Sequence, residues 1–184
     1  MSIIGLDIAS KTGLARWRVG DPAPVLSTIV LGGSAGDLAR PMENLRLHLA
    51  QIHTEDPITD LFFEMPILPR ATIDERGRAR MMTSAQAVLK LSALVGMAEW
   101  FACRVKANPY SVDQQTWRKH FIGKGTGRSA DLKSMAIEAC RVLGWPTRND
   151  NEADAAGVLD YGINWLGIHA PWRDTHLFGG AIAA

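Results

Sequence analysis

An ionisable side chain inside an apolar run constrains this chain more than any other feature. Asp7 sits in Ile3-Ile4-Gly5-Leu6-Asp7-Ile8-Ala9, a stretch that otherwise reads as a buried strand. A lone carboxylate there loses several kcal/mol of hydration unless something pairs with it, and no Lys or Arg lies within the strand. The pattern recurs in Leu61-Phe62-Phe63-Glu64-Met65-Pro66, where Glu64 ends an apolar run. A third acidic group, Asp150-Asn151-Glu152-Ala153-Asp154, opens a late and mostly apolar helix. Three acids on three core elements suggest a shared divalent cation.

The bulk of the chain narrows the classes. At 184 residues it is long enough for one sizeable domain and short for two. Its 47% hydrophobic and 21% charged content match a soluble globular protein. Cys103 and Cys140 lie in apolar helical contexts without zinc spacing, and read as small core residues in a reducing compartment. A secretory signal and an apolar stretch of membrane-spanning length are both missing, so the expected location is cytoplasmic with no membrane partner. Net charge is only +1, but the basic residues cluster. Arg70, Arg76, Arg78 and Arg80 face only Asp74 and Glu75 in residues 70–80. Arg118, Lys119, Lys124, Arg128 and Lys133 face only Asp131 in residues 118–133. Basic patches near an acidic site suit a protein that grips a phosphate backbone; two solvated loops would read the same way.

Three strands are expected over residues 2–9, 13–20 and 24–32, with tight turns at Lys11-Thr12-Gly13 and Gly20-Asp21-Pro22. A helix follows, with Leu38, Met42, Leu45, Leu49 and Ile52 on one face. Strand 60–66 carries Glu64, and residues 67–81 look like a mobile loop. Thr83 and Gln86 match a capping box for a long helix running to Cys103. Next come a short strand near 104–108, a short helix through Trp117, and a break at Gly123-Lys124-Gly125-Thr126-Gly127. Ser129 is suited to cap a helix with Leu132, Met135, Ala136, Ala139 and Leu143 on one side. The last helix spans 150–168, and residues 169–184 read as a loosely docked tail to a single domain over 1–168. Antiparallel strands followed by strands alternating with helices imply an α/β fold: a mixed sheet, three antiparallel strands then parallel ones, flanked by helices.

Mg²⁺ takes oxygen ligands, one or two carboxylates with water and substrate phosphate. Two such ions about 4 Å apart can activate water and stabilise the leaving oxygen of a phosphodiester. Asp7, Glu64 and Asp154 would supply the carboxylates. Each acid also has a structural reading. Asp7 could cap the turn at residues 10–13, Glu64 could pair with Arg70, and Glu152, three residues after Asn149, completes a capping box. The glycine segment 123–127 is no Walker loop, because no Gly-Lys-Ser/Thr follows.

The ordered set of these motifs resembles the RuvC family of Holliday-junction resolvases, within the ribonuclease H-like superfamily. Ile3-Ile4-Gly5-Leu6-Asp7 through Thr12-Gly13 is similar to its first catalytic strand and turn, and Leu61 to Glu64 to its second. Ala87-Val88-Leu89-Lys90-Leu91 to Gly96 resembles the long helix that follows. Gln115 to Lys133 resembles the glycine-rich segment leading to a DNA-contacting lysine. Glu152-Ala153-Asp154-Ala155 resembles the acidic start of the final helix. The match spans roughly residues 2–166 in family order.

The resemblance implies a ribonuclease H-like fold and catalytic, metal-binding Asp7, Glu64 and Asp154. It makes Lys133 a phosphate-binding or transition-state-stabilising lysine, where spacing alone gives an exposed helix lysine. The family places an acid or histidine three residues before the last acid, where this chain has Asn151. Asp150, four residues before Asp154, is preferred as the fourth ligand; Glu152 points elsewhere in a regular helix. The implied activity is a Mg²⁺- or Mn²⁺-dependent crossover junction endodeoxyribonuclease with two ions per site. It would act on branched DNA as a homodimer making paired nicks, with residues 83–103 and the last helix as dimer surfaces. The DNA arms would be held by Arg70, Arg76, Arg78, Arg80, Lys124, Arg128 and Lys133. Two other readings stand beside it: an actin-like or sugar-kinase-type ATP-binding protein, for which the chain is short, and a catalytically weakened junction-binding protein, motivated by Asn151.

Overall fold

The computed structural model describes residues 1–33, 36–66, 71–73, 79–81 and 84–174. Strands β1 (Ser2–Asp7), β2 (Lys11–Arg18) and β3 (Val25–Val30) form an antiparallel run, followed by α1 (Ala39–Glu55). Strand β4 (Ile58–Glu64) returns parallel to β1, and β7 (Asn108–Val112) lies parallel to β4. The five-stranded sheet has the order β3-β2-β1-β4-β7. A short hairpin, β5 (Ala71–Ile73) and β6 (Ala79–Met81), and helix α2 (Ala85–Val105) connect β4 to β7. Helices α3 (Gln114–Ile122), α4 (Ser129–Val142) and α5 (Asp150–Trp165) follow, then a 3₁₀ turn over Pro171–Asp174. The expected mixed α/β architecture is present.

Both faces of the sheet are covered, which is why residues 3–6 of β1 are apolar without alternation. The two-residue period of the strand still sorts its side chains. Ile4 and Leu6 of β1 and Leu61 and Phe63 of β4 pack with Leu45, Leu49 and Leu94 beneath α1 and α2. Ile3 of β1 and Phe62 of β4 pack on the other face with Ala155, Val158 and Leu159 of α5. By the same parity Asp7 and Glu64 fall on the α5 face, at the carboxyl ends of adjacent parallel strands. Glycines let α5 lie close there: a Cβ on Gly5 would stand 2.6 Å from the Ala155 carbonyl oxygen, and one on Gly13 only 1.9 Å from that of Asn151.

Several boundaries differ from expectation. Residues 8–10 make the first turn, closed by Thr12 Oγ1 donating to the Ala9 carbonyl at 2.7 Å, and Gly13 sits inside β2 opposite Asp7. The strand expected near 104–108 is the end of α2, whose apolar face continues through Phe101 and Ala102; Lys106 closes it with φ 60, and the strand starts at Asn108. Ser84 caps α2, accepting from the Ala87 amide at 3.2 Å, while Thr83 lies outside the described residues. Arg128, without a side-chain cap bond, precedes α4, so Ser129 is its first residue. The segment read as a loop over 67–81 contains the β5–β6 pair. Cys103 lies exposed on the outside of α2, whereas Cys140 is buried. Helix α5 cannot be a dimer surface along its length, because eleven of its residues, from Glu152 to Ile163, are buried within the chain. The residues just past 168 are docked: Ala170 and Trp172 are buried, and Trp172 Nε1 donates to Asp160 Oδ1 at 2.8 Å.

Candidate active site

Asp7 ends β1, Glu64 ends β4, and Asp154 lies one turn into α5, on the face that Gly5 and Gly13 allow against the sheet. The three form one electrostatic unit. Burial, then the charges of Glu64 and Asp154, push the Asp7 carboxyl up to about 8. Burial also raises Glu64, against the hydrogen bond from Trp117, and raises Asp154, against Arg118. Among the described residues no hydrogen bond to the Asp7 side chain closes the turn at residues 8–10; Thr12 performs that function. The capping reading of Asp7 is therefore incorrect.

Protein donors hold the other two acids. Glu64 Oε1 accepts from Gln114 Nε2 at 2.6 Å and Oε2 from Trp117 Nε1 at 2.9 Å. Arg118 NH2 donates to Asp154 Oδ2 at 3.3 Å, with both side chains under 10% exposed. Asp154 Oδ1 is buried with no hydrogen-bond partner among the described residues. Lys133 reaches from α4 to Asp150 at the start of α5, and this bond holds the Asp150 carboxyl below its usual range. Bonding to Asp150 raises Lys133, with further contributions from Asp154 and Asp7. Lys133 thus borders the acidic unit.

No protein-family model and no curated protein matches the sequence. Solved structures do. A Thermus thermophilus RuvC structure superposes with a TM-score of 0.62 at 14% identity, over 91% of this chain and 97% of that one. T. thermophilus RuvC in complex with a Holliday junction substrate superposes with a TM-score of 0.62 at 15% identity, over 86% of this chain and 90% of that one. The fold is that of RuvC.

Within this RuvC-like fold the predicted residues separate into three groups. Asp7, Glu64, Asp154, Asp150 and Lys133 are brought together. Glu152 is turned away: buried, it accepts from Thr28 Oγ1 at 3.0 Å and the Arg148 amide at 2.8 Å, while Asn149 caps its own amide at 3.1 Å. It anchors the start of α5 to β3, one residue further back than a standard capping box reaches. Asn151 places its backbone carbonyl over Gly13. Lys124 and Arg128 are exposed on the loop between α3 and α4. Arg70, Arg76 and Arg78 lie outside the described residues, as does the side chain of Arg80, whose backbone pairs with Thr72.

Sequence reasoning missed Gln114 and Trp117 as partners of the acids, and placed Arg118 in a basic loop. A signal existed. Residues 114, 117, 118 and 121 share one face of a helix, so Arg118 belongs with Trp117 and Phe121 on the buried side of α3.

The donor chemistry fits a hard divalent cation: three carboxylates that disfavour one another, and a buried oxygen lacking a partner among the described residues. The side-chain arrangement is less complete. Among the described residues no three His, Cys, Asp or Glu side chains form a ready ligand set. Arg118 and Lys133 occupy positive-charge positions beside Asp154 and Asp150 instead. No helix among the described residues is long and apolar enough to cross a membrane.

Proposed function

We propose that the protein is a divalent-metal-dependent endonuclease that cuts four-way or other branched DNA junctions. The observation that carries this reading is the desolvated cluster of Asp7, Glu64 and Asp154 at the carboxyl ends of β1 and β4. It is joined to cationic Arg118 and Lys133 on a RuvC-like fold, whose neighbour T. thermophilus RuvC was solved with a Holliday junction. Asp7, Glu64 and Asp154, with Asp150 as the fourth, would hold two Mg²⁺ or Mn²⁺ ions. Bound there, such ions would supply the Lewis acidity for activating a water and stabilising a leaving oxygen.

The chain's own residues do the rest. Gln114 and Trp117 fix the Glu64 carboxylate in one orientation, so its oxygens lose no freedom on engaging a ligand. Arg118, buried beside Asp154, lowers Asp154 and Glu64 against the effect of their burial and can turn its remaining N–H groups to a phosphate oxygen. Lys133 is half-exposed and free to leave Asp150 for the scissile phosphate, where a positive charge stabilises the pentavalent transition state. Exposed Lys124 and Arg128 contact the DNA backbone. A two-fold dimer would place two such sites on one junction for paired nicks, with the outer face of α2, bearing exposed Leu89 and Trp100, as its surface.

A second reading, junction binding without cutting, is favoured by the absence of a ready three-acid ligand set among the described residues. Incubation with a labelled synthetic four-way junction and Mg²⁺ or Mn²⁺ separates the readings, with linear duplex and ATP hydrolysis as controls. Paired symmetric nicks support the nuclease. Retarded but uncut junction supports the binding protein, and ATP hydrolysis without either overturns both.

A further inference from the structure

Strand β3 is an edge of the sheet, with β2 as its one neighbour among the described residues. The pairing fixes which way its backbone points. Leu31 N–H donates to the Ser10 carbonyl at 3.1 Å, and in an antiparallel ladder such bonded positions recur at every second residue. Residues 25, 27 and 29 therefore bond to β2, while Leu26, Thr28 and Val30 turn their N–H and C=O groups outward. Edge strands ordinarily carry a charge, a proline or a bulge that keeps other strands away. The opposite edge, β7, has Pro109. By contrast β3 reads Val-Leu-Ser-Thr-Ile-Val, uncharged and in unbroken register with β2, and leaves Val25 and Val30 56% and 66% exposed.

The two sides of this edge differ. Toward α1, the odd-numbered residues open onto a cavity of about 200 Å³ between sheet and helix, with Leu14, Val25, Ile29 and Ile52 in its lining. Arg16, which also lines it, is neutralised by Glu55 at 2.9 Å. Toward α5 the edge is basic. Thr28 Oγ1 donates to Glu152, whose other oxygen accepts from the Arg148 amide, so Arg148 is held near the middle of β3 with its side chain 79% exposed. Lys11, also exposed, stands opposite Val30. The carboxylate of Glu152 is buried, and Asp150 is taken by Lys133.

We infer that the β3 edge is a docking site for an extended segment of a partner protein in which apolar and acidic residues alternate. Such a segment extends the sheet by one strand. Its backbone bonds the outward groups of Leu26, Thr28 and Val30, its apolar side chains enter the cavity beside α1, and its carboxylates meet Arg148 and Lys11. Two strand spacings, about 10 Å, separate it from Lys11, a span that a lysine and a glutamate side chain close together. A second copy of the chain fits less well: a two-fold axis through Thr28 pairs the same backbone groups but sets two Arg148 side chains on one side of the sheet, like charge against like. A nucleic-acid strand would use the two cations and leave the outward backbone row unpaired. The inference does not depend on the nuclease reading.

The test is fluorescence anisotropy with the full chain in EDTA, without DNA, and a fluorescein-labelled eight-residue peptide that alternates valine or isoleucine with glutamate. That peptide should bind at least about tenfold more tightly than one of the same composition with its apolar residues grouped, because only alternation matches the two sides of the edge. Val30→Pro removes an outward N–H and Val30→Lys adds a charge to the edge. Each should weaken binding at least about tenfold, and the lysine variant decides if the proline variant does not fold. Arg148→Glu should weaken it too, and should bind a peptide with lysine in place of glutamate better than the wild type does. Equal affinity for the two peptide arrangements, or unchanged binding in Val30→Lys, overturns the inference. So does self-association that Val30→Lys abolishes without any peptide binding, which gives the edge to a second copy. Junction retardation lost in Arg148→Glu, again without peptide binding, gives it to DNA and overturns the inference as well. Peptide binding by a protein that cuts no junction would keep the docking edge and remove the nuclease. Cutting without peptide binding would do the reverse.

Discussion

Replacing Asp7 by asparagine should change how the stability of the metal-free protein depends on pH. The Asp7 carboxyl moves from 3.8 in the unfolded chain to about 8 in the folded one, through burial and the charges of Glu64 and Asp154. Between those values the folded state holds a proton that the unfolded state has released. The contribution is therefore complete below pH about 4 and is lost as pH rises toward 8. Each pH unit is worth about 1.4 kcal/mol, so the wild type should lose about 4 kcal/mol from this group between pH 4 and 7. Asp7→Asn removes that titration. Urea denaturation in EDTA at unit steps from pH 4 to 8 should show the variant gaining on the wild type at every step. Saturating Mg²⁺ should recover the wild type at pH 7.5 and do little for the variant, because the cation replaces the proton on the ionised cluster. Parallel curves for the two proteins in EDTA would refute the argument, since the Asp7 carboxyl would then not be raised by its burial.

Gly13→Ala places a Cβ 1.9 Å from the Asn151 carbonyl oxygen, so the first turn of α5 must retreat with Asp150 and Asp154. Melting curves should show a loss of about 1–3 kcal/mol, and junction cleavage should fall about 100-fold. Arg118→Ala breaks a buried pair and should cost about 3–5 kcal/mol in EDTA at pH 7, with Mg²⁺ restoring more stability to the variant than to the wild type in thermal melts. Lys133→Ala should slow single-turnover cleavage about tenfold or more; an unchanged rate would return Lys133 to the role of a surface residue. Asp150→Asn should raise the Mg²⁺ concentration needed for half-maximal cleavage. Glu152→Gln should leave it in place while lowering the melting temperature, because Glu152 binds Thr28 and the Arg148 amide rather than the cluster.

The residues of the candidate cluster were legible for a simple reason. A charge in an apolar run is costly wherever the chain folds, so Asp7, Glu64 and Asp154 stood out without any contact being known. Glu152 was likewise readable as a helix-start residue, because capping depends only on local spacing. Local signals served less well where tertiary packing outweighed them. Residues 104–108 contain a β-branched valine, yet α2 runs through Val105 because Phe101 and Ala102 already bind its face to the core. The segment 170–173 looked like a tail by composition, but Asp160, buried on α5, draws in Trp172 and Arg173.

The linear chain by itself determined which acids had to be explained and the alternation of strands and helices that set the sheet. Hydration cost and side-chain period are properties of a residue and its neighbours in sequence, so they survive without a structure. Only the tertiary structure decided what surrounds those acids. Arg118 belongs with Asp154, Lys133 with Asp150, and Gln114 and Trp117 with Glu64, pairs that lie between 17 and 53 residues apart. Their meeting depends on the glycine gaps at positions 5 and 13 that let α5 settle on the sheet. Asp7 remains the residue for which both levels agree: apolar on both sides in sequence, and pushed up to about 8 by burial and its acidic neighbours in space.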